Sequence, residues 1–352
     1  MSSSQFFCNG CGTRLKQGVR FCTVCGKEVR IPAAPVAVNA GLPVSGALLG
    51  GRWRIGHQVG KGGMGAVYLV HDTRLSDRRA ALKEMLDQSL TLSARREAID
   101  RFNAEAETLA RLSHPNIPHV YDRFTEGDRI YMVMEFLEGM DLERLLEKHK
   151  AAYAGAPLPE KVVVRHLYQI CSGLAYIHEQ PLLHRDLKPS NLILLPSGLV
   201  KIIDFGIAKL FNPGRQGTGL GTQGYAAPEQ YRGEATPKTD LYALGATAHH
   251  LLSGRDPQVE TPFDYPPLNG ISPGLAELVG ALLAMRPEDR PENAAAVRRR
   301  LVELYPGLHD WPEEERIKHL LGLVPRPATR RLTAPVAEES TPTPAPVQSG
   351  TP

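Results

Sequence analysis

The chain has 352 residues, of which 22% are charged and 42% hydrophobic, and its formal net charge is +3. A chain of this length holds one large bilobal domain or two ordinary ones, and so small a charge gives no argument for nucleic acid or an anionic membrane as a partner. No positively charged segment followed by an apolar run opens the chain, so we expect no cleaved secretion signal and a cytoplasmic location.

The first thirty residues hold four of the five cysteines, in two similar stretches, FCNGCGT and FCTVCGK. Two Cys-x-x-Cys pairs are typical of a four-thiolate zinc site, and the glycine after each pair lets backbone N–H groups turn towards the thiolates. Two disulfides or a redox pair are the alternatives, and a cytoplasmic location disfavours the disulfides. The segment resembles a zinc ribbon, which implies a structural Zn²⁺ within residues 1–30, bound by Cys8, Cys11, Cys22 and Cys25.

Residues 31–51 carry no charge and are numerous enough to span a bilayer. Their prolines and glycines favour a flexible linker over a membrane helix. Residues 52–306 have the composition of one folded domain. We predict a helical extension at 307–324 and a disordered Pro/Thr-rich tail at 325–352.

Short β-like runs, AVYLV and IYMVMEF, come early in the domain at 52–306. Helical patterns such as VVVRHLYQICSGLAYIHEQ and TDLYALGATAHHLLSG dominate later. We therefore expect an α+β fold with a sheet-rich first lobe and a helix-rich second lobe. Cys171 lies within an apolar helical pattern, which predicts a buried thiol without chemistry.

The stretch VGKGGMGAVYLV has the spacing Gly-x-Gly-x-x-Gly at Gly60, Gly62 and Gly65. Dinucleotide-binding folds share this spacing, but there the motif opens a helix and an acidic residue follows about twenty positions on. Here the motif runs into a strand, and the next strand carries Lys83. The pattern predicts a lid over phosphate groups with a lysine beside it. A later helical pattern offers Glu105 as the partner that holds this lysine.

The stretch HRDLKPSNLILLPSGLVKIIDFG has two apolar runs separated by turn residues, which predicts a hairpin. The hairpin brings Asn191 and Asp204 together, and an amide oxygen beside a carboxylate suits Mg²⁺. Asp186, earlier in the same stretch, can accept the proton of an incoming hydroxyl. A hydrolase with a carboxylate pair at Asp186 and Asp204 is the alternative, but it explains neither the glycine motif nor Lys83.

With these motifs in this order, residues 53–305 resemble a eukaryotic-like serine/threonine protein kinase of the bacterial type. The resemblance implies a bilobal kinase fold that uses ATP and Mg²⁺ to phosphorylate serine or threonine hydroxyls of proteins, itself included. It implies the catalytic residues Lys83, Glu105, Asp186, Lys188, Asn191 and Asp204, with Asn191 and Asp204 as the magnesium ligands. It also implies a nucleotide site formed by Val59, Gly60, Lys61, Gly62, Gly63, Met64, Gly65, Val67, Ala81, Lys83, Met134, Glu135, Leu137 and Ile193.

The resemblance further implies roles for residues around the site. Asp186 would orient the acceptor hydroxyl, and Thr222 of GTQGYAAPEQ, the segment where a substrate docks, would lie near Asp186 and Lys188. Lys188 and this segment favour serine or threonine over tyrosine as the acceptor. An ion pair between Glu229 and Arg290, a brace from Asp240 to the catalytic loop, and a stack of four side chains are also implied, the stack being Leu109, Val120, His184 and Phe205.

Arg185, before the catalytic aspartate, suggests control by phosphorylation, since a phosphothreonine would offer it charge-assisted hydrogen bonds. Thr218 is the candidate, Thr222 lies close to it, and Thr333 in TRRLT is a second, weaker candidate. The implied partners are ATP, protein substrates and a protein bound by the ribbon. The alternatives are a pseudokinase scaffold and a regulator whose ribbon binds nucleic acid or protein.

Overall fold

The computed structural model describes residues 6–7, 14–15, 45–62, 65–85, 107–127, 129–180, 182–205 and 221–308. The internal contacts of the chain define two compact units, residues 1–47 and residues 48–352. In the described ranges, no helix combines the length and apolar character that crossing a bilayer requires.

The first unit contains a short hairpin. Strand β1 (Phe6–Phe7) pairs antiparallel with strand β2 (Arg14–Leu15). Cys8 and Cys11 fall in the chain between the two strands, and all four N-terminal cysteines lie outside the described residues. The predicted zinc ligands therefore stay a prediction from the sequence.

The second unit begins with a six-stranded antiparallel sheet in the order β3-β4-β5-β6-β8-β7. The strands are β3 (Leu48–Leu49), β4 (Trp53–Gly62), β5 (Gly65–Asp72), β6 (Arg78–Met85), β7 (Val120–Glu126) and β8 (Arg129–Glu135). The predicted strands AVYLV and IYMVMEF correspond to β5 and β8, so the sheet-rich first lobe is confirmed.

Strand β3 lies inside the segment that the sequence analysis assigns to a flexible linker. Gly50 and Gly51 have φ angles of +57° and +61°, which suit glycine and turn the chain back so that Leu49 pairs with Trp53. The Gly50 N–H donates to the Glu126 carboxylate at 2.6 Å. The last residues of the segment predicted as a linker thus include a two-residue strand held by β4.

The strand register separates the sheet into two faces. On one face Ile55, Val70, Leu82 and Val133 are 0–3% exposed and lie opposite or next to one another across the strands. The alternate positions form the other face, where Lys83 pairs with Val67 on one side and with Met132 on the other. The same face carries Ala81 and Met134 as a paired set. Alternation along the strands therefore brings four predicted nucleotide-site residues to one face: Val67, Ala81, Lys83 and Met134.

The second lobe is helical. Its helices are α1 (Leu142–Ala152), α2 (Glu160–Glu179), α3 (Pro237–Ser253), α4 (Pro273–Leu282) and α5 (Ala294–Leu304). A further helical segment is described at residues 107–111. Every residue of α3 from Thr239 to Leu252 is buried, so this helix forms the centre of the lobe. Cys171 is buried in α2, as predicted.

A small sheet lies beside these helices. Strand β10 (Leu192–Leu194) pairs antiparallel with β11 (Val200–Ile202) and with β9 (Met140–Asp141). Gly198 has a φ of +80° in the turn between β10 and β11. This is the hairpin that the sequence predicts. Asn191 directly precedes β10, and Asp204 follows β11.

Candidate active site

Lys83 and Asp204 meet although 121 positions separate them in the chain. The Lys83 Nζ lies 2.5 Å from Asp204 Oδ1, and the lysine side chain is 10% exposed. Asp204 has a φ of 59°, in the left-handed region that non-glycine residues seldom occupy. Glu105, the predicted partner of Lys83, falls in a range for which the structure gives no description.

An open pocket lies beside this ion pair. Lys83 and Asp204 line it together with apolar side chains from the sheet, from the helical segment and from the residues before and after Asp204, namely Leu109, Val120, Met132, Met134, Ile203 and Phe205. The cavity therefore has a charged end and apolar walls, as sites for organic ligands commonly do.

The segment that follows Met134 is held by an ion pair that the local sequence does not predict. Lys201 on β11 is 5% exposed, and its Nζ lies 2.8 Å from Glu135 Oε2. The same ammonium group donates to the Ile117 carbonyl at 3.3 Å. The Glu135 N–H donates to the His119 carbonyl at 2.8 Å. These contacts tie Glu135 to β11 and to the residues before β7.

Asp186 lies at the centre of a hydrogen-bonded cluster. Its Oδ1 accepts from the Thr222 hydroxyl at 2.9 Å and from the Thr222 N–H at 3.1 Å. The Lys188 Nζ donates to the same hydroxyl at 2.8 Å. The structure thus brings together Asp186, Lys188 and Thr222, and an aliphatic hydroxyl lies between the carboxylate and the ammonium group.

Asn191 orients this cluster from the other side. Its Nδ2 donates to the Asp186 carbonyl at 2.7 Å and to the Asp186 carboxylate at 3.2 Å. Because the amide nitrogen is used in this way, the amide oxygen is the atom of Asn191 with which a cation can bind. The Asp204 carboxylate, 40% exposed, supplies a second hard oxygen. This donor chemistry fits Mg²⁺, which prefers a few protein oxygens and completes its shell with water and phosphate.

The loop around Asp186 is braced by Asp240 at the start of α3. The Asp240 carboxylate accepts from the backbone N–H groups of His184 and Arg185 at 2.9 and 2.8 Å. It also lies 2.8 Å from His178 Nε2. Burial raises the pKa of Asp240, but the hydrogen bonds and charge interactions with the two histidines outweigh it, so the pKa lies below its usual range. The carboxylate therefore stays ionised, and the predicted brace is present.

Several other predicted contacts are also found. The His184 and Phe205 rings lie 5.2 Å apart, and His184 Nε2 donates to the Ile203 carbonyl at 2.9 Å, so this histidine is structural. Arg290 donates to both Glu229 oxygens at 2.7 and 2.9 Å. A contact that was not predicted joins Arg185 to the 3-10 turn after Thr222: the Arg185 carbonyl accepts from Gln230 Nε2 at 2.8 Å, and Arg185 has a φ of 62°.

For the remaining predicted site residues the structure gives the strand or segment to which they belong, or no description. Lys61 and Gly62 belong to β4 and Gly65 to β5, with Val59 and Gly60 earlier in β4. Leu137 follows β8, and Ile193 lies on β10 opposite Lys201. Gly63, Met64, Thr218 and Thr333 fall outside the described ranges. Within those ranges no group of three His, Cys, Asp or Glu side chains is arranged to hold a metal ion.

Comparison with known proteins agrees with this geometry. The family model for the protein kinase domain matches residues 53–302. Serine/threonine-protein kinase Pkn1 of Myxococcus xanthus is 34% identical over 325 residues, which cover 84% of this chain and 45% of that protein. Serine/threonine-protein kinase PrkC of Bacillus subtilis is 38% identical over 216 residues, covering 60% of this chain and 32% of that protein.

The crystal structure of the Mycobacterium tuberculosis PknI kinase domain superposes with a TM-score of 0.59 at 30% identity, covering 75% of this chain and 99% of that one. The chain spans less than half of the length of the two curated relatives. The family match covers strands β4–β11, helices α1–α4 and most of α5. The chain therefore belongs to the protein kinase domain family, with its bilobal fold.

Proposed function

We propose that this chain is an ATP-dependent serine/threonine protein kinase. The observation that carries the proposal is the position of the Thr222 hydroxyl, which donates to Asp186 and accepts from Lys188. An acceptor serine or threonine would make the same two contacts, since its side chain ends in the same group. The relatives named serine/threonine-protein kinases support the same activity.

The chemistry follows from the charges around this position. Asp186 orients the acceptor hydroxyl and receives its proton as the oxygen attacks. Lys188 stabilises the negative charge that develops on the transferring group, and Lys83 binds the phosphates that remain on the nucleotide. Bound Mg-ATP supplies the phosphoryl group, and Asn191 and Asp204 are the residues that would hold its magnesium. The protein thus acts by positioning and charge stabilisation.

The proposal is tested with the full chain, labelled ATP, Mg²⁺ and dephosphorylated casein as the acceptor. We expect label on casein serine or threonine residues, and a loss of at least about a hundredfold in rate for Asp186→Asn. Asp77→Asn is the matched control, because Asp77 lies in an exposed turn with a φ of 55° that asparagine also adopts. If wild type and Asp186→Asn label casein equally little, the pseudokinase alternative replaces this proposal.

The N-terminal unit is proposed as a zinc ribbon that binds one structural Zn²⁺. The two Cys-x-x-Cys pairs support it, as does the β1–β2 hairpin that brackets the first pair. We expect about one equivalent of zinc per full-length chain by metal analysis. Cys8→Ser with Cys22→Ser should abolish binding, while the buried Cys171→Ser should retain it. Retention of zinc by the double variant contradicts the proposal.

Thr218 and Thr333 are proposed as autophosphorylation sites, with Arg185 as the group that receives phosphorylated Thr218. The support is the basic context of Thr333 and the position of Arg185 before Asp186. Phosphopeptide mapping after incubation with Mg-ATP tests both sites. Phosphate on neither threonine, in a preparation that phosphorylates casein, rejects this regulation.

A further inference from the structure

The segment that carries Thr222, residues 221–227, is held against the loop that follows α3. Gly224 has a φ of +84°, and a Cβ at this position would lie closer to the Pro257 carbonyl oxygen than the two atoms can approach. Glycine is therefore required for the segment to approach the loop this closely. The Gly224 carbonyl accepts from the Tyr265 hydroxyl on the same loop.

The Tyr265 ring is itself fixed in place. It makes edge contacts with Tyr242 and His249 of α3, with ring centroids 6.2 and 5.2 Å apart. The carbonyl of the next residue, Pro266, accepts from His249 Nε2 at 2.8 Å. Burial raises the pKa of Tyr265, so the hydroxyl remains protonated and able to donate. The donor that meets Gly224 thus has a defined position.

A second contact binds the same segment to α3. The Tyr225 hydroxyl lies 2.6 Å from His250 Nδ1, and both side chains are buried. Two residues earlier in the chain than Gly224, Thr222 makes its contacts with Asp186 and Lys188. Movement of Gly224 would therefore move the surface on which an acceptor polypeptide lies next to the catalytic carboxylate.

From these contacts we propose that Tyr265 is a positioning residue for the protein acceptor, acting through its hydrogen bond to the Gly224 carbonyl. The proposal rests on the kinase function proposed above. Tyr265 touches neither nucleotide-site residues nor Asp186 in the contacts described, so its effect falls on acceptor binding. The nucleotide side of the site should be unaffected.

The test compares Tyr265→Phe with Tyr305→Phe in the full chain. Tyr305 is a matched control, since its hydroxyl bonds to Glu160 and Ser272 elsewhere in the helical lobe. For Tyr265→Phe we expect the casein KM to rise at least about threefold, the loss expected for one hydrogen bond. The ATP KM and the hydrolysis of ATP without casein should stay at wild-type values. Tyr305→Phe should lower the melting temperature without raising the casein KM.

Gly224→Ala provides a second variant, because its Cβ would overlap the Pro257 carbonyl and displace the same segment. Its casein KM should also rise. The fold increase in casein KM for the double variant should be smaller than the product of the two single increases, since both substitutions act on one contact. An unchanged casein KM in Tyr265→Phe, or equal increases in the KM values for casein and ATP, overturns the positioning role. A wild-type chain that labels neither casein nor itself rejects the kinase function, and the positioning role with it.

Discussion

The Lys201 ammonium group lies 2.8 Å from the Glu135 carboxylate, with the two side chains only 6% and 25% exposed. This pair joins the strand that leads to Asp204 with the segment that follows Met134. Lys201→Met leaves Glu135 without its cation, and we expect unfolding free energy to fall by about 1–3 kcal/mol. Urea denaturation measures the loss.

The matched variant is Lys201→Met combined with Glu135→Gln, which removes both charges. Because no unpaired carboxylate remains, the double variant should lose less than the sum of the two single losses. Additive losses would mean that the two groups contribute independently of each other.

Breaking the Glu229–Arg290 ion pair should cause a large loss in the free energy of unfolding. Both side chains are almost fully buried, at 2% and 0% exposure. Glu229→Gln leaves a buried guanidinium without its carboxylate, and we expect a loss of about 3–5 kcal/mol in chemical denaturation. Glu234→Gln, in the exposed pair with Arg232, should cost less than about 1 kcal/mol. Similar losses for the two variants would contradict a role for burial.

The contribution of the Glu229–Arg290 pair to folding stability should depend on pH. Burial raises the pKa of Glu229, but the hydrogen bonds and charge of Arg290, together with hydrogen bonds from Thr239 and the Glu229 backbone, outweigh burial, so the pKa lies below its usual value. A carboxyl whose folded pKa is depressed contributes stability that is present at neutral pH and is lost as pH falls through the folded value. The wild-type chain should therefore lose more stability on acidification below about pH 4 than Glu229→Gln does.

His166 should destabilise the fold in mild acid. It is 0% exposed, neither ring nitrogen has a hydrogen-bond partner among the described residues, and burial lowers its pKa to about 4. The neutral ring is favoured in the folded state, so stability is full above the unfolded pKa of about 6.5 and is lost as pH falls towards 4. We expect roughly 2 kcal/mol of loss between pH 7 and pH 5.

His166→Leu should remove this part of the pH dependence, while His57→Gln, at an exposed position of β4, should retain it. Denaturation at pH 7, 6 and 5 provides the measurement. A pH profile of His166→Leu that matches the wild-type profile would show that other groups determine the acid response.

Two helical glycines should respond to alanine in opposite directions. A Cβ on Gly173 of α2 would lie 2.6 Å from Ile202 Cδ1, whereas a Cβ on Gly280 of α4 meets no atom of the described part of the chain within 4 Å. Gly173→Ala should therefore lower stability by about 1–3 kcal/mol through overpacking. Gly280→Ala should raise it by up to about 1 kcal/mol through helix propensity. Thermal melts of the two variants test both signs, and stabilisation of both would show that Ile202 adapts.

The residues nearest the proposed chemistry were predictable because they occur in short motifs with fixed spacing. The hairpin of β10 and β11 follows from two apolar runs around turn residues, and next to it the Ile203 N–H donates to the Asn191 carbonyl at 2.9 Å. The contacts of Thr222 with Asp186 and Lys188 agree with what the family resemblance implied. Local sequence carries this information because turns and strands set these distances.

The supporting contacts were not predictable from local sequence. Lys201 reaches Glu135 over 66 positions, and Tyr265 reaches Gly224 over 41. Such pairs depend on how whole elements pack, and a lysine on a strand or a tyrosine in a loop gives no periodic signal of its partner. Strand β3 was missed for a related reason, since pairing with β4 determines its conformation.

Helix α3 has no solvent-facing side between Thr239 and Leu252, and it contacts both parts of the proposed site. Asp240 at its start holds the loop of Asp186, while His249 and His250 near its end support Tyr265 and Tyr225. The position of the proposed base and the position of the acceptor surface therefore both depend on helix α3. A substitution that shifts α3 as a body should lower turnover and acceptor affinity together, even where no residue that meets the substrate has been altered.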